Sequence, residues 1–118
     1  MATSKSFDSS QLWTAGAFLF SGRPDPVWSV DPTEADKLEA IWNSLPALAA
    51  PMIAHQPPLG YRGCFLRQPD GTEWSAFAGV VTRQARTGAE SRGDPDRKFE
   101  RAVLTTAPSN MLPDDLAV

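Results

Sequence analysis

The stretch that decides the fold is Leu59-Gly60-Tyr61-Arg62-Gly63-Cys64-Phe65-Leu66-Arg67-Gln68-Pro69-Asp70-Gly71-Thr72-Glu73-Trp74-Ser75-Ala76-Phe77-Ala78-Gly79-Val80-Val81-Thr82-Arg83. It reads as a β-hairpin of two long strands closing on Gln68-Pro69-Asp70-Gly71. Pro69 fixes φ at the first turn position, Asp70 suits the next, and Gly71 supplies the positive φ that a short loop with a bulge requires. Alternation in the second strand sends Trp74, Ala76, Ala78 and Val80 to one face and Ser75, Phe77, Gly79 and Val81 to the other. Both faces then carry apolar residues, and each needs cover from the rest of the domain or from another chain.

Towards the N-terminus, Leu12 to Phe20 has the composition of a strand. Ser21-Gly22-Arg23-Pro24-Asp25-Pro26 ends it, and Val27 to Val30 forms a short further strand. Asp31-Pro32-Thr33-Glu34 starts a helix: Asp31 caps, Pro32 fits the first turn and Glu34 can bond back. Leu38, Ile41, Trp42 and Leu45 recur at intervals of three and four, so the helix runs to about Ser44 with one packed face, and Pro46 stops it. Ala47 to Pro58 reads as a crossover loop. Beyond the hairpin, Gln84 to Gly93 reads as a polar loop. Asp94-Pro95 repeats the cap-then-proline signal ahead of a second helix, Arg97 to Thr105, which Pro108 closes. Residues 1–10 form a polar leader, 11–108 a single domain and 109–118 a tail. The expected fold is α+β: a small three-stranded antiparallel sheet packed against two helices, in the order strand-helix-hairpin-helix.

The totals suit one soluble domain. Its 118 residues can bury one core, and 42% hydrophobic with 21% charged residues are near globular averages despite eleven prolines. A net charge of -3 and a pI near 5.0 argue against nucleic acid as the partner. Cys64 has no second cysteine to pair with, and Met1-Ala2-Thr3-Ser4-Lys5 lacks a secretory apolar run, so a cytoplasmic location is expected. Ala15 to Phe20 and Leu45 to Ala54 are too short or too proline-broken to span a bilayer.

Chemistry is sparse. A catalytic pair of Cys64 and His55 would make the chain a small stand-alone enzyme, but a mid-strand cysteine is more often a small apolar residue. Structural zinc wants four nitrogen or sulfur ligands and the chain offers two; Asp94, Asp96, Asp114 and Asp115 read as helix-start and tail residues rather than a metal site. No cofactor is expected in this chain. Arg23, between turn formers, either clamps an anion or simply fixes its loop. Arg83, Arg86, Arg92, Arg97, Lys98 and Arg101 are interleaved with Glu90, Asp94, Asp96 and Glu100, which suits a compensated face better than a nucleic-acid footprint. A wing-like hairpin followed by a basic helix keeps a winged nucleic-acid binder as an alternative. Four tryptophans in this length are the best local sign of a binding protein, with Trp42 assigned to the core by its helical spacing.

Trp13…Phe20-Ser21-Gly22-Arg23-Pro24-Asp25-Pro26-Val27-Trp28, with Pro58-Leu59-Gly60-Tyr61-Arg62-Gly63-Cys64 and Lys98-Phe99-Glu100-Arg101…Ala107-Pro108, resembles small bacterial proteins that accompany peptide-modifying enzymes. More specifically, it resembles the small partner subunit of heterodimeric multinuclear non-haem iron oxygenases that modify cysteine in ribosomally synthesised peptides, of the 3-thiaglutamate type. That resemblance implies a non-catalytic accessory subunit: iron resides in a larger barrel-shaped partner, while this chain recognises the peptide substrate and completes the heterodimer. A hairpin with an open edge can add such a peptide as an extra strand. The residues expected to make these contacts are Trp13, Arg23, Trp28, Tyr61, Arg62 and Trp74.

Overall fold

A computed structural model describes residues 12–19, 24–50, 61–109 and 111–112. The leader, Arg23, most of the crossover loop with His55, and most of the tail lie outside the described residues. In chain order the elements are β1 (Trp13–Ala17), β2 (Val27–Val30), α1 (Pro32–Ser44), β3 (Cys64–Arg67), β4 (Glu73–Phe77), β5 (Val80–Ala85), β6 (Gly88–Gly93), a 3-10 turn (Pro95–Arg97) and α2 (Lys98–Thr105). The strands form one six-stranded sheet in the order β2-β1-β3-β4-β5-β6, with every neighbouring pair antiparallel.

The fold is therefore α+β, but the expected three-stranded sheet is wrong by three strands. The run 72–83 is not one strand. Ala78 (φ 53°) and Gly79 (φ 88°) both take the left-handed region and form a two-residue hairpin loop between Phe77 and Val80. An alanine there costs about 1 kcal/mol, which the ladders on either side offset. The supposed loop 84–93 is the rest of a second hairpin, in which Ala85 pairs with Gly88 around Arg86-Thr87. The third addition to the sheet is β2, read as a short strand from sequence at the same residues but left out of the sheet, where it lies against β1.

The Ala78-Gly79 turn also resets the faces. Trp74 and Ala76 now share a side with Val81, and with Ala15, Ala17, Trp28, Val30, Cys64 and Leu66 they make the sheet's half of the core. The opposite face is largely polar: Thr14, Ser29, Arg67, Glu73, Ser75, Thr82 and Gln84 lie there, with Thr82 and Ser91 hydroxyls 2.7 Å apart. The expected pair of apolar faces is thus corrected to one apolar face and one polar face. Phe65 is the main exception. Its ring lies across Gly16, where an added Cβ would sit 2.5 Å from Cε1, and the Phe18 ring stands 5.3 Å away.

Both helices cover the apolar side. α1 begins as read: Asp31 Oδ1 accepts the Glu34 N–H at 2.8 Å, and the helix stops at Leu45, whose N–H bonds the Trp42 carbonyl at 3.1 Å. Its 13 residues span about 20 Å, and with Asp31 before it and Leu45 and Pro46 after it they cover the about 24 Å from β2 to β6. On arrival, segment 46–48 runs along β6: Gly93 N–H donates to Pro46 O (2.9 Å) and Leu48 N–H to Ser91 O (3.0 Å). Arg92 Nη1 donates to the Trp42 carbonyl (2.9 Å) and its guanidinium lies 4.4 Å from the Trp42 ring, which anchors the end of α1. α2 packs beside α1 over β1, β3 and β4, with Phe99 and Val103 fully buried.

Candidate functional site

Two places in the described structure have functional character. The first is a buried polar cluster where β3 begins and the β4–β5 turn meets α2. Asp94 starts it. Its N–H donates to Gly79 O (2.8 Å), and its carboxylate accepts the N–H groups of Phe99 (2.8 Å) and Glu100 (3.1 Å), capping α2 across the intervening 3-10 turn. That turn puts Asp96 and Arg97 in the left-handed region, with φ 59° and 55°, and brings Arg97 back over Glu100. Arg97 Nε and Nη2 donate to Oε1 and Oε2 of Glu100 at 2.9 and 2.7 Å, a bidentate pair, and the Tyr61 hydroxyl also donates to Oε2.

Glu100 is wholly buried and Cys64 beside it is 1% exposed, with Sγ 3.7 Å from the Glu100 carbonyl oxygen. Burial first, and the neighbouring Glu100 charge second, push the Cys64 thiol well above its usual range. Burial likewise raises the Tyr61 phenol, helped by Cys64 and Glu100, while the hydrogen bond to Glu100 raises Arg97. Each shift favours the protonated form. The shift runs against the thiolate that a nucleophilic Cys64 would need. The cluster acts as a lock between sheet and helix.

The second place is the edge formed by β2. Ala17 N–H donates to the Pro26 carbonyl at 3.2 Å, and the register continues through Ala15↔Trp28 and Trp13↔Val30. Antiparallel pairs alternate, so Pro26, Trp28 and Val30 turn their backbone groups towards β1, while Val27 and Ser29 turn theirs outward. Among the described residues no strand lies beyond β2, whereas the opposite edge is overlaid by segment 46–48. Val27 is 54% exposed, one of two large apolar side chains so exposed in the described structure.

The residues singled out from sequence do not form one site. Trp13 and Trp74 stack at 5.5 Å inside the core, and Trp28, also buried, donates its Nε1–H to Thr106 Oγ1 at 2.8 Å. The Trp13–Trp74 stack links β1 with β4, Trp28 ties β2 to the C-cap of α2, and none of the three faces outward. Tyr61 belongs to the buried cluster, and the half-buried Arg62 donates its backbone N–H to Phe18 O at 2.7 Å. Arg23 lies outside the described residues. The hairpin edge expected to take a peptide is not an edge, because β3 and β4 are paired on both sides.

Compared with known proteins, the chain matches no family model, no curated protein and no solved structure.

Sequence reasoning missed Glu100, Arg97 and the β2 edge. A signal for Glu100 was present: residues 99, 100, 103 and 104 fall on one helical stripe, and three of them are apolar. Among the described residues no three His, Cys, Asp or Glu side chains converge as a metal site, and no helix is long and apolar enough to cross a membrane.

Proposed function

We propose that this chain is a non-catalytic accessory subunit that holds an extended peptide along β2 for a larger peptide-modifying enzyme. The resemblance noted above supplies the oxygenase partner, its iron and the cytoplasmic setting. The observation that carries the peptide reading is the β2 edge, where the outward N–H and C=O groups of Val27 and Ser29 stand beside an exposed Val27 side chain. An added antiparallel strand makes four hydrogen bonds there. At about 1 kcal/mol net each they give millimolar affinity, too weak for capture by a free module. A subunit that presents the peptide next to its enzyme needs no more, since the enzyme's own contacts multiply the effect.

The test uses Ser29→Pro. The Ser29 N–H points away from β1, so proline removes a docking donor and leaves the native ladder intact. Peptides selected from a random displayed library on the full chain should protect the Val27 and Ser29 amides from hydrogen exchange. They should lose about tenfold in affinity to the proline variant, and the partner enzyme copurified by the wild-type chain should accept the same peptides. Selected peptides that bind the proline variant equally well, or leave the Val27 amide unprotected, overturn the edge reading.

A further inference from the structure

We infer that the cleft between the end of α1 and the start of α2 binds a small organic monocarboxylate with an apolar body. This goes beyond the β2 reading and does not depend on it. The cleft encloses about 390 Å³, within the size range of small-molecule sites, and its apolar wall is Leu45, Pro46 and Pro95. Its polar wall is Lys98, Arg101 and Asp96. Lys98 and Arg101 are three residues apart on α2 and so lie on one face of the helix. The ion pairs of the described structure join Arg67 to Glu73, Arg83 and Arg92 to Glu90, and Arg97 to Glu100, so among the described residues neither Lys98 nor Arg101 makes an ion pair.

The charge count selects the ligand. Two cations and one carboxylate leave a single net positive charge, which favours an anion over a cation, and the apolar wall favours an organic carboxylate over inorganic phosphate, which has no body to cover it. Arg97 does not compete, because its fork is spent on Glu100. Arginine can grip a carboxylate in two parallel bonds while Lys98 adds a point charge, and the proline and leucine surfaces take an aliphatic body. A ligand of this size in a half-open cleft should bind with a dissociation constant on the order of 1 mM.

The experiment titrates the full-length ¹⁵N-labelled chain with 4-methylpentanoate, with 4-methylpentanamide and with acetate, following backbone amides by NMR. The acid should give saturable shifts centred on Leu45, Lys98 and Arg101. The amide lacks the charge and acetate lacks the body, so both should bind about tenfold more weakly. Salt should weaken the acid, and Lys98→Gln and Arg101→Gln should each weaken it about fivefold, both residues being exposed. Equal binding of acid and amide by the wild-type chain, shifts that stay linear to about 50 mM, or saturable shifts centred elsewhere overturn the proposal. Unchanged affinity in the two glutamine variants does the same.

Discussion

Replacing Arg97 with methionine tests whether the Tyr61–Glu100–Arg97 cluster locks α2 to the sheet. Methionine keeps much of the aliphatic stem and removes the guanidinium, leaving Glu100 wholly buried with the Tyr61 hydroxyl as its remaining side-chain donor among the described residues. Stranding one partner of a buried ion pair costs about 3–5 kcal/mol. The Arg97 side chain is 30% exposed, so water can enter the vacated place, and the expected cost falls to about 2–3 kcal/mol. Four buried tryptophans make urea unfolding readable by fluorescence, and at about 1.5 kcal/mol per molar the midpoint should drop by about 1.3–2 M. Glu100→Gln supplies the decisive control. In the Arg97→Met background it removes the stranded charge, so the double variant should be more stable than the sum of the two single losses by about 1–2 kcal/mol. Strict additivity, or a loss below about 0.5 kcal/mol for Arg97→Met, refutes the lock.

Two further outcomes follow from the same geometry. Because the folded state keeps the proton on Cys64 and Tyr61, their stabilisation is complete at neutral pH. It is lost as pH rises above about 9, where the unfolded thiol ionises and the folded one does not. Stability should stay level from pH 6 to 8, fall by about 1.4 kcal/mol per pH unit once the unfolded thiol ionises and about twice as steeply above about pH 10, where the unfolded phenol joins it, and Cys64→Ala should flatten the first part of that fall. A melt midpoint that rises with pH in that range contradicts the assignment. Gly16→Ala places a Cβ 2.5 Å from Phe65 Cε1 and 2.9 Å from the Pro26 carbonyl oxygen, so it should cost about 2 kcal/mol by thermal melt. Phe65→Leu in the same chain should recover part of it, and no recovery means that the clash with the Pro26 backbone dominates.

The parts of the fold that were legible are those whose hydrogen bonds close within a few residues. Asp31-Pro32-Thr33-Glu34 and Pro46 mark α1 because cap and stop are local events. Gln68-Pro69-Asp70-Gly71 marks its turn because Gly71 takes φ 98° and Asp70 Oδ1 accepts the Thr72 N–H at 2.9 Å. Ala78-Gly79 was illegible because an alanine carries no turn signature, and its left-handed backbone is imposed by the pairing of Phe77 with Val80. The second hairpin was hidden for a different reason. Over β5 and β6 the sheet meets α1 with Arg83 and Arg92, whose guanidinium groups lie 5.7 and 4.4 Å from the Trp42 ring, so a strand pair that packs on a helix has the composition of a loop. The tryptophans misled because an indole suits core and interface equally, and only the stacking of Trp13 on Trp74 separates the two. Glu100 stayed hidden because a helical glutamate is ordinarily solvated, and its burial depends on an arginine held in a left-handed conformation.

The two edges of the sheet are treated differently, and the route of α1 explains why. The helix leaves directly from β2 at Asp31-Pro32 and delivers segment 46–48 onto β6, so the chain uses its own backbone to cover the far edge. Nothing comparable is left for β2 among the described residues. Its length is nonetheless limited by sequence: Pro26, which faces β1, has no N–H with which to return the bond from Ala17, so β2 is pinned to β1 no further back than Val27, and Pro32 opens α1 directly after it. The usable edge is therefore Val27 to Val30, two outward residues long. An edge that short gives little purchase for sheet-on-sheet aggregation, which needs long flat pairing. On the proposed reading the same shortness sets specificity: a docked segment gains four backbone bonds whatever its sequence, so its choice must come from the side chains beside Val27 and from whatever the partner enzyme adds. Pro26→Val adds only an N–H that faces Ala17 of β1, so it should extend the native ladder and leave peptide affinity unchanged, whereas a variant that binds peptide more tightly places the docking groups somewhere other than Val27 and Ser29.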